Sequence, residues 1–253
     1  MDDGGIESEL RQQAEAFAAR LTTTVRTVAG GDTAPFVLRG TDDVGPQVRL
    51  TIRQDPSLGI VLRVQGRPLL LLRVDYRCVW DHAQRFLAVD RSGIAVFATG
   101  VNEPLLRYEY VRACPSDLPG AHIQVHAHRD ALAYVMTMCG DKSGRARRRG
   151  KELARGVPPR LSDLHLPVGG ARFRPCLEDV LEMLINEMGV DAPPRAQAAL
   201  RAGREEWRRD QLRAAVRDSP EVVAQVLEDQ FGYAITRPAA GSPPDRLERL
   251  QAI

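Results

Sequence analysis

Lysine is almost missing from this sequence of 253 residues. Of its 35 basic residues only Lys142 and Lys151 are lysines, and the rest are arginines. An arginine-rich composition is typical of a GC-rich genome, so we expect a bacterial protein. The positive charge is therefore carried by planar guanidinium groups, which fit phosphate and carboxylate oxygens better than an ammonium group does. The formal net charge is only +2, because acidic residues nearly balance the arginines.

Long apolar runs are also missing, and so is any pattern of closely spaced cysteines. No stretch approaches the ~18 consecutive apolar residues that a membrane-spanning helix needs, so no membrane partner is predicted. The first five residues are acidic and lack the apolar core of a signal peptide, which favours a cytoplasmic protein. The four cysteines stand far apart without a C-x-x-C spacing, so we expect structural thiols rather than a disulfide framework.

Sequence motifs that identify a chemistry are lacking as well. We find no P-loop, no Rossmann fingerprint, no zinc-finger spacing and no G-x-S-x-G nucleophile elbow. The sequence therefore predicts no cofactor and no metal. It also leaves open whether the protein is an enzyme, because any function must rest on less specific patterns.

The hydrophobic pattern changes from a helical period to a strand period along the chain. Residues 6–28 carry apolar side chains at helical spacing, which predicts an N-terminal helix. From 47 to 128 the period is two: Leu50 and Ile52, for example, alternate with Arg49, Thr51 and Arg53. The alternation predicts strands with one apolar and one polar face.

Turn residues divide this region into strands with short connections. Residues 55–59 predict a hairpin, and residues 90–93 predict a turn between strands at 85–90 and 94–99. The last strand is predicted at 121–128. Short connections are typical of antiparallel pairing. The predicted fold is α+β, with a curved antiparallel meander of about six strands, covered by the N-terminal helix and followed by a C-terminal helical region.

The chain is predicted to divide into four parts. Residues 1–140 form the helix-plus-sheet domain, which ends with a short helix at 130–139. Residues 141–173 form a basic, partly flexible connector, 174–236 a helical subdomain, and 237–253 a loosely ordered tail rich in proline, alanine and glycine.

Three of the five histidines share one face of the last predicted strand. His122, His126 and His128 alternate with apolar residues, so their side chains point to the side opposite the core. Arginines and carboxylates on neighbouring strands are expected on the same side. The predicted groove contains Arg49, Arg53, Arg63, Arg73, Asp75, Arg77, Arg107 and Glu109.

This groove has three interpretations. It is a solvated face of an antiparallel sheet, or it binds and cleaves RNA, or it holds a metal ion through histidine and Glu109. In the second interpretation Arg73, Arg77 and Arg107 bind phosphate, and histidines act as general acid and base toward a 2′-hydroxyl and a leaving oxygen. That chemistry favours RNA over DNA as the partner. Surrounding arginines oppose a cation, which disfavours the metal site.

A basic segment after the histidine strand adds to the nucleic-acid hypothesis. Between residues 141 and 160, basic side chains outnumber acidic ones, which creates a local positive field. We interpret the segment as a loop at the edge of the groove. The candidate nucleic-acid-binding residues in it are Arg145, Arg147, Arg148, Arg149 and Lys151.

The first hypothesis is therefore an RNA-interacting protein, with a metal-independent ribonuclease of the toxin or stress-response type as its specific form. Its catalytic candidates are His122, His126, His128 and Glu109. One alternative is a non-enzymatic regulatory module that binds a protein partner through the C-terminal helices. Another is a small metalloenzyme that uses the histidine strand.

Overall fold

A computed structural model of the chain describes residues 3–41, 48–81, 84–112, 120–125, 129–158 and 174–250. These residues form an open, curved antiparallel sheet of seven strands with helices packed on one face, so the predicted α+β class is confirmed. The strands are β1 (Phe36–Thr41), β2 (Leu50–Gln54), β3 (Ile60–Val64), β4 (Arg67–Trp80), β5 (Leu87–Ala98), β6 (Pro104–Val111) and β7 (Ala121–Val125). The helices are α1 (Asp3–Ala29), α2 (Arg129–Thr137), α3 (Gly144–Leu153), α4 (Leu177–Met188), α5 (Ala196–Asp218), α6 (Pro220–Phe231) and α7 (Leu247–Leu250).

Helix α1 covers the apolar face of the sheet, as its sequence predicts. Leu10, Ala14, Phe17, Leu21 and Val25 recur every three or four residues and are all buried. The helix packs against β1 to β5 and against α4 and α5. Among the described residues, no helix has both the length and the apolar character that a membrane crossing requires.

Helices α4 and α5 share the core of the sheet. Leu181 and Leu184 of α4 and Leu200 of α5 belong to the same buried cluster as Leu70 and Leu72 of β4. Two local signals fix the ends of α4. Its first turn is closed by a capping box between residues 176 and 179, and its last turn ends at a glycine in the left-handed conformation.

The predicted hairpin at 55–59 is wrong. Strands β2 and β3 do not pair with each other; both pair antiparallel with β4, which is 14 residues long. β2 lies beside the second half of β4 and β3 beside its first half, so the two short strands run end to end along one edge. The turn residues between β2 and β3 interrupt the strand but do not reverse the direction of the chain, because both strands pair with β4.

The predicted turn at 90–93 is also wrong. These residues lie inside one continuous strand, β5, which pairs with β4 on one side and with β6 on the other. Asp90 is an extra residue in the ladder: Arg77 pairs with Arg91 and Cys78 with Val89. Pairing with β4 and β6 keeps this segment extended although its composition favours a turn. The extra residue forms a β-bulge.

The segment predicted as a basic loop contains a helix. α3 begins after Ser143, whose side chain accepts a hydrogen bond from the backbone N–H of Ala146. After α6, the first residue of the predicted tail, Arg237, contacts the carboxylates of Glu221 and Glu228.

The three described cysteines, Cys78, Cys139 and Cys176, are free thiols in the core. Burial raises the pKa of Cys78 to about 12 and that of Cys139 to about 11. At neutral pH these side chains are therefore neutral packing residues, whereas the reactive form of cysteine is the thiolate.

Candidate functional site

The side of the sheet turned away from α1 and α4 is the candidate site, and we call it the polar face. Alternation along the strands places the apolar side chains of β2 and β4 in the core and the charged ones on this face. Its charged and polar members among the described residues include Arg53, Arg73, Asp75, Arg77, Arg91, Arg107, Glu109, His122 and Gln124.

Strand register orders these side chains into rows that run across the sheet. The middle row is Arg53, Asp75, Gly93, Glu109 and His122, one residue from each of five adjacent strands. Neighbouring strands lie about 4.8 Å apart, so the row spans roughly 19 Å. Arginines flank it on both sides: Arg77 and Arg91 in one row, Arg73 and Arg107 in the other.

Glu109 and His122 form the closest acid–base contact of the middle row. Nε2 of His122 lies 3.3 Å from Oε2 of Glu109, and Nη1 of Arg107 lies 3.6 Å from Oε1 of the same carboxylate. The His122 side chain is 16% exposed and that of Glu109 is 29% exposed. A carboxylate in this position orients the imidazole. The structure thus brings two of the predicted catalytic residues together.

Asp75 approaches the same pair from the other side of β5. Its carboxylate lies over Gly93, where an added Cβ would be 3.0 Å from Oδ1. Loss of surrounding water raises the pKa of Asp75; the charge of Arg77 lowers it, that of Glu109 raises it again and that of Arg53 lowers it. The net direction is upward, so this carboxyl group keeps its proton to a higher pH than an ordinary aspartate.

The flanking arginines differ in how firmly they are held. The guanidinium of Arg73 lies 4.7 Å from the ring centre of Phe97, a cation–π contact that fixes its position. Within the described part of the chain, Arg73, Arg77 and Arg91 form no ion pair with a carboxylate. These guanidinium groups can therefore bind an incoming anion without first breaking an internal ion pair.

Two of the predicted catalytic histidines, His126 and His128, lie outside the described residues. Ile123, the residue after His122 on β7, packs against the core. His122 therefore faces away from the core, as the alternation predicts. In the described ranges, no group of three or more histidine, cysteine, aspartate or glutamate side chains is arranged to hold a metal ion.

The basic residues of α3 do not extend the polar face. Helix α3 packs against α2 and α4, in the helical layer. Arg149 is only 4% exposed, and its Nη1 lies 3.0 Å from Oε2 of Glu187, which Arg145 also contacts at 2.8 Å. Arg149 is therefore a structural residue and is not available to a phosphate, contrary to its predicted role.

The other candidates on α3 remain at the surface. Arg147, Arg148 and Lys151 are exposed, and Arg148 pairs with Glu152 one turn later. The side chain of Arg145 is about half exposed although its Nε contacts Glu187. They form a second positive area, separate from the polar face.

Sequence reasoning missed Arg91 and Gly93, because it assigned both to a turn. Their places on the polar face depend on pairing with β4 and β6, which are distant in sequence. The only local signal is that residues 87–98 contain no proline, so a continuous strand was compatible with the sequence. The sequence placed Asp75 on the polar face, but its central position in the middle row depends on strand register.

Comparison of the chain with protein-family models, with curated proteins and with solved structures finds no match. The function must therefore be argued from the geometry of the polar face and of the helical layer.

Proposed function

We propose that the polar face binds single-stranded RNA and cleaves it without a metal ion, with His122, Glu109 and Asp75 as the acid–base residues. The observation that carries this proposal is the arrangement in rows: proton-transfer groups lie in the middle row and arginines on both sides of it. An RNA backbone that crosses the sheet would meet phosphate ligands before and after the reacting group.

Binding in this proposal depends on phosphate contacts. Arg73 and Arg107 would hold one part of the backbone, and Arg77 and Arg91 the other, each with the two parallel N–H donors that suit a phosphate. The two arginine rows are four residues apart along a strand, which corresponds to roughly 14 Å. Because this affinity is electrostatic, it should fall steeply as salt is added.

The chemical step needs one group that accepts a proton and one that supplies a proton. His122, oriented by Glu109, takes the proton of the ribose 2′-hydroxyl. The 2′-oxygen then bonds to the adjacent phosphorus, and the bond from phosphorus to the 5′-oxygen breaks. Asp75, in its protonated form, gives its proton to that leaving oxygen. The products are a 2′,3′-cyclic phosphate and a free 5′-hydroxyl, and water returns the two side chains to their starting states.

Burial is the main cause that favours the protonated form of Asp75, and the surrounding charges strengthen or oppose its effect. Glu109 favours the protonated form, whereas Arg53 and Arg77 favour the carboxylate. A phosphate bound to these arginines would weaken their effect on Asp75. Binding of the substrate would therefore shift Asp75 further toward the form that donates a proton.

The test is cleavage of mixed cellular RNA, followed on a gel with and without EDTA. We expect wild type to cleave in both conditions and His122→Ala to lose about 100-fold or more of the rate. Gln124→Ala is the matched control, since Gln124 lies on the same strand and face but carries no acid–base group. We expect it to retain cleavage.

Three results would contradict the proposal. Cleavage that persists in His122→Ala would remove His122 from the mechanism. Cleavage that EDTA abolishes would make the reaction metal-dependent. An absence of both cleavage and salt-dependent RNA binding in wild type would remove RNA as the ligand.

One observation favours the second candidate, a non-enzymatic interaction module. Helix α6 buries little, and apolar side chains on it and just after it are exposed: Val222, Val226, Phe231 and Tyr233. Sedimentation velocity of wild type and of Val222→Lys would test whether this patch mediates self-association. A chain that self-associates through the patch and binds no RNA would be an interaction module.

A further inference from the structure

A second site lies in the helical layer, on the opposite side of the sheet from the polar face. A cleft of about 430 Å³ opens between α1, the start of β5 and α5. We call it the α1–α5 cleft. Its volume lies within the roughly 300–1,000 Å³ of small-molecule sites. The side chains that matter here are those of Phe17, Phe86, Trp207, Arg213, Ala214 and Arg217.

Aromatic side chains form the inner wall of the cleft. The rings of Phe17 and Trp207 are stacked, with centres 6.5 Å apart and planes 23° from parallel. Next to them, Arg174 is only 7% exposed and its guanidinium lies between the rings of Tyr110 and Trp207. A rigid aromatic wall of this kind suits a flat, apolar part of a ligand.

One polar atom in this wall has no partner. Nε1 of Trp207 is buried and makes no hydrogen bond within the described part of the chain. A buried N–H donor without an acceptor is unfavourable, because its hydrogen bond to water is lost. The nitrogen has almost no accessible surface, so the ring face of Trp207 is the part that a ligand in the cleft can contact.

The rim of the cleft is cationic. Arg217 lies with its guanidinium 4.8 Å from the ring centre of Phe86, and its Nε is 3.9 Å from the carboxylate of Asp81. Such a distance marks a loose ion pair that an incoming anion can replace. Arg213, one helical turn earlier, points to the same cleft. Among the described lining residues, six arginines face four carboxylate side chains, so the cleft attracts anions.

We infer that the α1–α5 cleft binds a planar aromatic molecule that carries one anionic group. The ring lies against Phe17 and Trp207, and the anionic group is held by Arg213 and Arg217. Nucleoside monophosphates and aromatic carboxylates share this chemistry. The inference is independent of the proposed RNA site, because no residue of the polar face lines the cleft.

The test is isothermal titration calorimetry of the full chain with four probes. Adenosine 5′-monophosphate and 1-naphthoate are the two aromatic anions, adenosine is the neutral ring, and inorganic phosphate is the anion without a ring. We expect at least one aromatic anion to bind at a single site about tenfold or more tightly than adenosine and phosphate do. Whether the nucleotide or the carboxylate binds more tightly then distinguishes the two sources of the ligand.

Variants of α5 locate the binding site. Arg217→Gln should weaken the binding of the aromatic anion about tenfold. Ala214→Trp should abolish binding because the larger side chain fills the cleft. Arg209→Gln is the matched control, since Arg209 lies on the same helix, pairs with Glu205 and does not line the cleft. Thermal unfolding of each variant shows whether it is folded, and Arg217→Gln keeps the test decisive if Ala214→Trp is not.

The inference would be overturned by any of three results. The first is that neither aromatic anion binds. The second is that adenosine binds as tightly as its monophosphate and that naphthoate does not bind, because the anionic group would then contribute nothing. The third is that Arg217→Gln and a folded Ala214→Trp bind like wild type, which would place the ligand elsewhere.

Discussion

The carboxylate of Asp75 lies above Gly93, at a point where the neighbouring strand has no side chain. A Cβ at residue 93 would be 3.0 Å from Oδ1 of Asp75, and the backbone of Gly93 is not in the left-handed region. The glycine is therefore needed for space rather than for backbone conformation. That space is occupied by the carboxylate of Asp75 itself.

Gly93→Ala tests the use of this space. We expect the free energy of unfolding to change by less than about 1 kcal/mol, because only the end of one side chain must move. RNA cleavage should fall about tenfold or more, because small displacements of a catalytic group are costly. Gly150→Ala is the control, since nothing lies within 4 Å of the added Cβ there. Full cleavage by Gly93→Ala would mean that the space is not used.

Asp75→Asn tests the pKa shift through stability. The pKa of Asp75 is raised above its ordinary value of 3.8, so the folded chain holds this proton more tightly than the unfolded chain does. The stability contributed by the protonated carboxyl is complete below pH 3.8 and is lost as pH rises through the folded-state pKa. At pH 7 the asparagine variant should therefore be the more stable chain.

Urea unfolding at pH 7 and near pH 3.5 measures this difference. We expect a gain of well under about 1 kcal/mol at pH 7, because the carboxylate of Asp75 is partly exposed to solvent, and almost none at the lower pH. Asp229→Asn, at an exposed position on α6, is the control. A variant that is less stable than wild type at pH 7 would contradict the assigned direction.

Arg149→Ala and Arg148→Ala separate the structural from the exposed arginines of α3. Removal of Arg149 leaves the buried carboxylate of Glu187 with less compensation, and we expect a loss of about 3 kcal/mol. Arg148 is 78% exposed and pairs with Glu152 along the helix, so its removal should cost less than about 0.5 kcal/mol. Chemical denaturation at neutral pH measures both. Equal losses of stability in the two variants would show that the Arg149–Glu187 contact does not act as a buried ion pair of the core.

Two helix-terminal glycines form a second matched pair. Gly189 and Gly232 both end helices in the left-handed region, at φ of 68° and 70°. A Cβ at Gly189 would overlap the carbonyl oxygen of Cys139, whereas nothing lies near a Cβ at Gly232. We expect Gly232→Ala to cost about 1 kcal/mol and Gly189→Ala to cost about 3 kcal/mol or more. Thermal unfolding compares them, and similar midpoints would argue against the close approach at Gly189.

The sequence predicts helices α1, α4 and α6 because their signals are local. Proline in the first turn of α6, glycine after α4 and the apolar stripe of α1 each act within one or two turns. The errors concern α3, which was predicted as a loop, and the strand connections. Residues 55–59 and 90–93 have the composition of turns, but their conformation is decided by β4 and β6, which are distant in sequence. Strand β1 was missed because residues 36–41 show no alternation of apolar and polar side chains.

The candidate site was predictable to the level of single strands. Alternation correctly places Ile123 and His122 on opposite faces of β7. It also places Arg73, Asp75 and Arg77 on the face of β4 opposite its core residues. The rows across the sheet depend on register between strands, which no local pattern contains. The burial of Arg149 likewise depends on Glu187, a residue 38 positions later on another helix.

Strand β4 is hydrogen-bonded along both edges, to β2 and β3 on one side and to β5 on the other. Its amide hydrogens should therefore be among the last in the protein to exchange with solvent, since they are hydrogen-bonded to neighbouring strands on both sides. The segment 56–58 between β2 and β3 is exposed, and each flanking strand is anchored to β4 independently of the peptide that links them. A circular permutation that places new termini at this point would leave every strand pair of the sheet intact.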